Sequence, residues 1–181
     1  MNAIGLVELS SIAAGFEVAD TMLKTSEVEL LVMRSICSGK FMVLVGGDVA
    51  AVRASVEAGE RTGAGCVVDA MVIPNVHKSV FPAISGMSQV EVLEALGIVE
   101  SFSVASLIEA ADASAKAANV KLIEVRLAMA LGGKAFVTMT GEVAAVRSAV
   151  EAGASVCAKR GLLVNKVVIA NPKKELLKEM I

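Results

Sequence analysis

The chain has 181 residues, an apolar share of 55%, a mean hydropathy of +0.70, a formal charge of −2 and a pI near 5.5. With no basic patch, no Trp, no Tyr and only five Phe it has little with which to grip phosphates or stack on bases, and no apolar run of about 18 residues is free of charge or Gly, so neither nucleic acid nor a membrane span is expected. Three Cys are too few, and odd in number, for a disulfide framework, and the N-terminus has neither the basic segment nor the long apolar stretch of a secretory signal; a reducing cytoplasm is expected. So apolar a chain is expected to hide part of its surface against copies of itself.

Ala3 to Leu9 reads as a strand, and Ser10-Ser11 supply hydroxyls to cap the helix that follows. In that helix Ile12, Phe16, Ala19 and Leu23 recur at i, i+4, i+7 and i+11, which predicts a buried face. Glu27 to Ser35 and Lys40 to Val45 read as paired strands joined by the short loop Ile36-Cys37-Ser38-Gly39. Asp48 then caps a helix carrying Val49, Val52 and Val56 on one side, and Cys66 to Ile73 is a fourth strand. The order β-α-β-β-α-β is the ferredoxin-like split βαβ arrangement, an α+β fold with an antiparallel sheet and both helices on one face. Asn75 to Glu94 reads as a short helix and linker.

The pattern then returns. Ala3-Ile4-Gly5-Leu6-Val7-Glu8 is echoed by Ala95-Leu96-Gly97-Ile98-Val99-Glu100, and Gly47-Asp48-Val49-Ala50-Ala51-Val52-Arg53 by Gly141-Glu142-Val143-Ala144-Ala145-Val146-Arg147. The helix spacing recurs as Val104, Ile108, Ala111 and Ala115, and Pro172 introduces a charged terminal helix to Ile181. Two tandem domains are therefore expected, the first with its linker over 1–90 and the second over 91–181. Between the matched blocks the second copy carries a two-residue insertion, and beside it Cys37 aligns with Met129.

The Ala-Ile-Gly-Leu-Val-Glu opening and its echo, the Ile36-Cys37-Ser38-Gly39-Lys40 loop, the Gly-Asp-Val helix start at 47–49 and the His77 to Gly86 segment with its Pro-Ala-Ile-Ser-Gly ending resemble the tandem-domain type of bacterial microcompartment shell protein. The resemblance covers essentially the whole chain. It implies an unpermuted pair of domains and a homotrimer whose six domains form a pseudo-hexagonal tile packed edge to edge with other shell proteins. The loops between the second and third strands would line the central opening, and enclosed redox enzymes would be further partners. Lys24 and Lys116 stand where the single-domain relatives carry an edge Lys, whereas Asn75 and Asn171 stand where they carry an Arg.

Around such an axis three Cys37 thiolates would converge, with Met129 of the second domains nearby. Soft sulfur donors select an iron–sulfur cluster, zinc or copper(I) over hard ions. Tandem shell proteins with Cys in this loop hold a [4Fe–4S] cluster in the pore, so the resemblance implies one cluster per trimer bound by Cys37. Ser38 and Gly39 would allow a tight path and aim N–H groups at the cluster sulfides. Such clusters ordinarily take four Cys; threefold symmetry supplies three, leaving one iron to water or an external ligand. Electron transfer across the shell, passage or repair of the cluster through the pore, and binding of a small ligand at the open iron all remain readings of that site.

Elsewhere Cys66 and Cys157 read as packing residues, and His77, the only His, as a solvated or capping residue. Asp20 with Lys24 and Asp112 with Lys116 are i,i+4 pairs that a helix surface or a lattice contact would equally use. Gly63-Ala64-Gly65 follows a helix and precedes a strand, the reverse of a dinucleotide site, and Gly132-Gly133 suits either the second loop or an ordinary turn. No nucleophile–His constellation or phosphate loop is present, so no enzymatic activity is expected. The alternative from another class is a tandem ferredoxin-like module that binds a small-molecule regulator.

Overall fold

The computed structural model describes residues 2–128 and 132–178. The chain divides into two compact units, 1–76 and 77–181. In the first, β1 (Ala3–Leu9), α1 (Ile12–Thr25), β2 (Val28–Ile36), a 3₁₀ turn (Cys37–Gly39), β3 (Lys40–Gly47), α2 (Val49–Thr62) and β4 (Val67–Pro74) follow in order. The second opens with α3 (Val80–Ile84) and continues with β5 (Ala95–Ser101), α4 (Val104–Ala117), β6 (Lys121–Arg126), β7 (Ala135–Gly141), α5 (Val143–Lys159), β8 (Leu163–Ile169) and α6 (Glu175–Lys178). The terminal helix expected as far as Ile181 is described to Lys178, and residues 179–181 lie outside the described range.

Each unit is one antiparallel sheet, in the order β2-β3-β1-β4 or β6-β7-β5-β8, as the split βαβ reading requires. Even the irregularities are duplicated: the register shifts at Glu8/Leu9 and Leu30/Val32 recur at Glu100/Ser101 and Leu122/Glu124. Ser11 caps α1 by accepting from the Ala14 N–H at 3.3 Å, and Asp48 caps α2 by accepting from Ala50 N–H at 2.9 Å. In the first unit Val7, Val43, Val45, Val18, Met22, Val52 and Val56 form one core between the sheet and both helices.

A glycine in the opening strand of each repeat, Gly5 on β1 and Gly97 on β5, lets the second helix of that repeat, α2 or α5, approach. A Cβ on Gly5 would lie 2.4 Å from Val56 Cγ2 and 2.7 Å from Val52 Cγ1; one on Gly97 would lie 2.7 Å from both Val146 Cγ1 and Val150 Cγ2. Gly5→Ala is expected to cost about 1–3 kcal/mol through overpacking, read as a melting temperature lower by several degrees with the secondary structure unchanged.

Two expectations are corrected. The buried face of α1 is Gly15, Val18, Ala19 and Met22; of the four residues expected there only Ala19 is buried, while Ile12, Phe16 and Leu23 are 44%, 57% and 39% exposed. Two apolar stripes run along this helix, and hydrophobic spacing alone does not say which one meets the sheet. Gly15 decides it, because only a residue without Cβ admits the Phe41 ring, whose Cδ1 would stand 2.2 Å from a Cβ there. In α4 all four expected residues, Val104, Ile108, Ala111 and Ala115, are buried. The second correction concerns the connecting segment, grouped by sequence with the first half. It belongs to the second unit, where Val80 and Ala83 are buried and α3 packs against β6 and α4.

Candidate metal centre

The loop between β2 and β3 is as short as the sequence suggests. Ile36 ends β2 in extended conformation, Cys37–Gly39 make a single 3₁₀ turn, and Lys40 begins β3. Gly39 has φ +71, a left-handed conformation that an L side chain adopts only with strain, and no atom lies within 4 Å of where its Cβ would be. The turn is thus both tight and open. Cys37 is partly exposed upon it, while Cys66 lies against the core of the first unit and Cys157 is buried with its Sγ 3.7 Å from the Ser106 carbonyl oxygen, to which it donates. Packing accounts for those two, and Cys37 is the one cysteine carried on the turn.

The base of the turn is tied down by a feature that the reading of motifs passes over. Lys40 Nζ donates to Oε1 of Glu8, a fully buried carboxylate on β1. Lys134 makes the repeat-equivalent contact to Glu100 at 2.7 Å. The signal was present in the sequence: an acid at the sixth position of each copy's opening strand and a Lys at or beside the start of its third. Buried pairs of this kind hold two strand ends in register.

The second loop differs. Eight residues separate β6 from β7, Ala128 has φ +47, and Gly132 and Gly133 have φ +61 and +86, so the glycine pair does shape this loop. Met129, which aligns with Cys37, lies outside the described residues. Arg126 stands over the Phe136 ring, 5.5 Å from its centroid, and pairs with Glu124 at 2.7 Å, fixing the approach to the loop.

The remaining candidates have local roles. His77 Nδ1 lies 2.7 Å from Ser79 Oγ, and its backbone N–H donates to Asp112 Oδ1 at 2.7 Å. Asp112 also accepts from Lys116 and Asp20 from Lys24, each at 2.6 Å. Among the described residues no three His, Cys, Asp or Glu side chains of one chain gather at metal-binding spacing. A single chain therefore offers one soft donor on an open turn. One donor is too few for a metal site assembled within one chain.

Comparison with known proteins agrees with the duplicated fold. Residues 3–76 and 95–172 each match the BMC domain family. The chain is 44% identical to the bacterial microcompartment shell protein PduT of Citrobacter freundii, over 99% of this chain and 98% of that one. Over 46% of its length it is 42% identical to the bacterial microcompartment shell protein EutM of Salmonella typhimurium, of which it covers 85%. A crystal structure of a microcompartment protein from Desulfitobacterium hafniense DCB superposes with a TM-score of 0.91 at 51% identity, covering 98% of this chain and 99% of that one. No helix among the described residues is long and apolar enough to cross a membrane.

Proposed function

The chain belongs to the BMC-domain family, and from that membership we infer that it is a structural shell protein of a bacterial microcompartment, in the cytoplasm, and not an enzyme. Its working form is a homotrimer: three chains place six domains in a pseudo-hexagonal tile that meets other shell proteins at its edges. Cys37 of each chain reaches the central opening, and the three thiolates hold one [4Fe–4S] cluster there. When bound, the cluster supplies a one-electron couple, which would serve enclosed redox enzymes across the shell. The chain's own part is to bind and aim. Gly39 turns the backbone back at once and the Glu8–Lys40 pair fixes the turn to the sheet, and the Ser38 and Gly39 N–H groups would be the nearby donors for the cluster sulfides.

The observation that carries this reading is the inequality of two otherwise duplicated loops, an open three-residue turn bearing Cys37 in one copy and a longer loop without Cys in the other. Anaerobic purification tests it, with native mass, absorbance in the sulfide-to-iron charge-transfer region, and iron and sulfide assayed per trimer. The expected result is a brown three-chain particle with iron and inorganic sulfide in equal amounts, which forms sheets, tubes or hexagonal arrays under the electron microscope when concentrated. A colourless, iron-free trimer that still forms arrays would remove the cluster and keep the shell role. A discrete particle that melts higher only when a small ligand is added would favour the regulatory-module alternative.

A further inference from the structure

The two units differ in an apolar surface on the first helix and second strand of each repeat. In the first, Ile12 and Phe16 on α1 and Leu30 on β2 are exposed; the repeat-equivalent Val104, Ile108 and Leu122 are buried. What covers that side of the second unit is the connecting segment, whose α3 packs on β6 and α4 and whose His77 N–H is received by Asp112. His77, Ser79 and Val90 line a groove with Asn119, Lys121 and Leu122 there.

The connecting segment follows β4 just as residues 170–181 follow β8. Ile73 pairs with Ile4 and Ile169 with Leu96, which are equivalent positions, so Lys173 corresponds to His77 and Leu176 to Val80. Short helices stand at matching places, α3 over Val80–Ile84 and α6 over Glu175–Lys178. In the linker Val80 is fully buried; in the tail Leu176 is 41% exposed. An uncovered apolar face and an unseated copy of the segment that covers its twin are both present in one chain.

Charge follows the same exchange. The first unit has Glu27 and Glu29 where the second has Asn119 and Lys121, and residues 173–178 of the tail carry three Lys and Glu175, a net +2, where the linker's 77–82 carry Lys78 alone, a net +1. The more basic tail thus matches the more acidic face.

We propose that residues 172–178 of one chain seat on α1 and β2 of the first unit of a second copy, covering Ile12, Phe16 and Leu30, with the backbone at Lys173 donating to Asp20 as that at His77 donates to Asp112. Linker and tail then do one job alternately around the assembly, covalently within a chain and in trans between chains. This deepens the trimer reading given above and rests on it.

Paired cysteines at the proposed contact provide the test. In a Cys37→Ser background, which removes the thiols that would otherwise meet at the trimer axis, Asp20→Cys with Lys173→Cys in the full chain is expected, on mild oxidation, to give two-chain and closed three-chain species on a non-reducing denaturing gel, while either single variant stays at one chain. Asp112→Cys with His77→Cys serves as the within-chain control. A native three-chain particle that gives no interchain link, or only a link within one chain, would overturn the seating and leave the shell reading standing; a parent chain that is monomeric at every concentration would sink both. Leu176→Glu, at an exposed position that folding does not require, is expected to raise the concentration at which the trimer dissociates at least tenfold. An unchanged dissociation would also overturn the proposal.

Discussion

Cys37→Ser is expected to abolish iron binding and leave the assembly intact. The change replaces a soft thiolate donor by a hydroxyl that stays protonated at neutral pH and binds iron poorly. It falls on a partly exposed turn, so the folding cost is that of a surface substitution, within about 0.5 kcal/mol. Each trimer loses all three protein ligands at once, so iron and sulfide should drop from near four of each to background, with the charge-transfer absorbance lost and the native mass unchanged. Cys66→Ser, which alters a residue packed on the core of its own unit, should keep its iron. Retention of the brown colour by the Cys37 variant would show that the cluster, if present, is held elsewhere. Failure to assemble in an iron-free parent background would make Cys37 a structural residue.

What the sequence made legible follows the range of the interactions involved. Strand β1 and both helix caps depend on residues close in sequence, while the sheet order, in which β1 pairs with the distant β3 and β4, was legible through the β-α-β-β-α-β succession that the second copy repeats. The face of α1 did not, because its phase is set by contact between Gly15 and Phe41, 26 positions apart, and the Ile12-Phe16-Leu23 stripe is just as apolar. The allegiance of the linker was hidden for the same reason: Val80 and Ala83 find their partners on α4 and β6, beyond β5 in the chain. Cys37 was legible because duplication isolates it, one thiol where the other copy has none. The Glu8–Lys40 pair was overlooked because an acid in a strand ordinarily points to water, and only the burial of β1 on both faces makes it notable.

That pair gives the second large effect, and the repeat provides its own control. Lys40→Met removes the cation from a carboxylate with no solvent exposure, which costs about 3–5 kcal/mol when one partner of a buried pair is lost. Lys134→Met removes the equivalent cation from Glu100, whose side chain is 26% exposed, and solvent screening reduces that loss to about 0–1 kcal/mol. For a chain of this length each kcal/mol lowers the melting temperature by roughly 2–4 °C, so the first variant should melt about 6–20 °C below the parent and the second at most about 4 °C below. The distinction lies in desolvation and not in the attraction itself, since the two pairs have the same chemistry. A double variant, Glu8→Leu with Lys40→Met, should therefore regain most of what Lys40→Met loses, because an apolar pair of similar volume leaves no charge in the sheet. Equal losses for Lys40→Met and Lys134→Met, or no recovery in the double variant, would mean that packing of the lysine stem, and not the buried charge, is what holds the turn to the sheet.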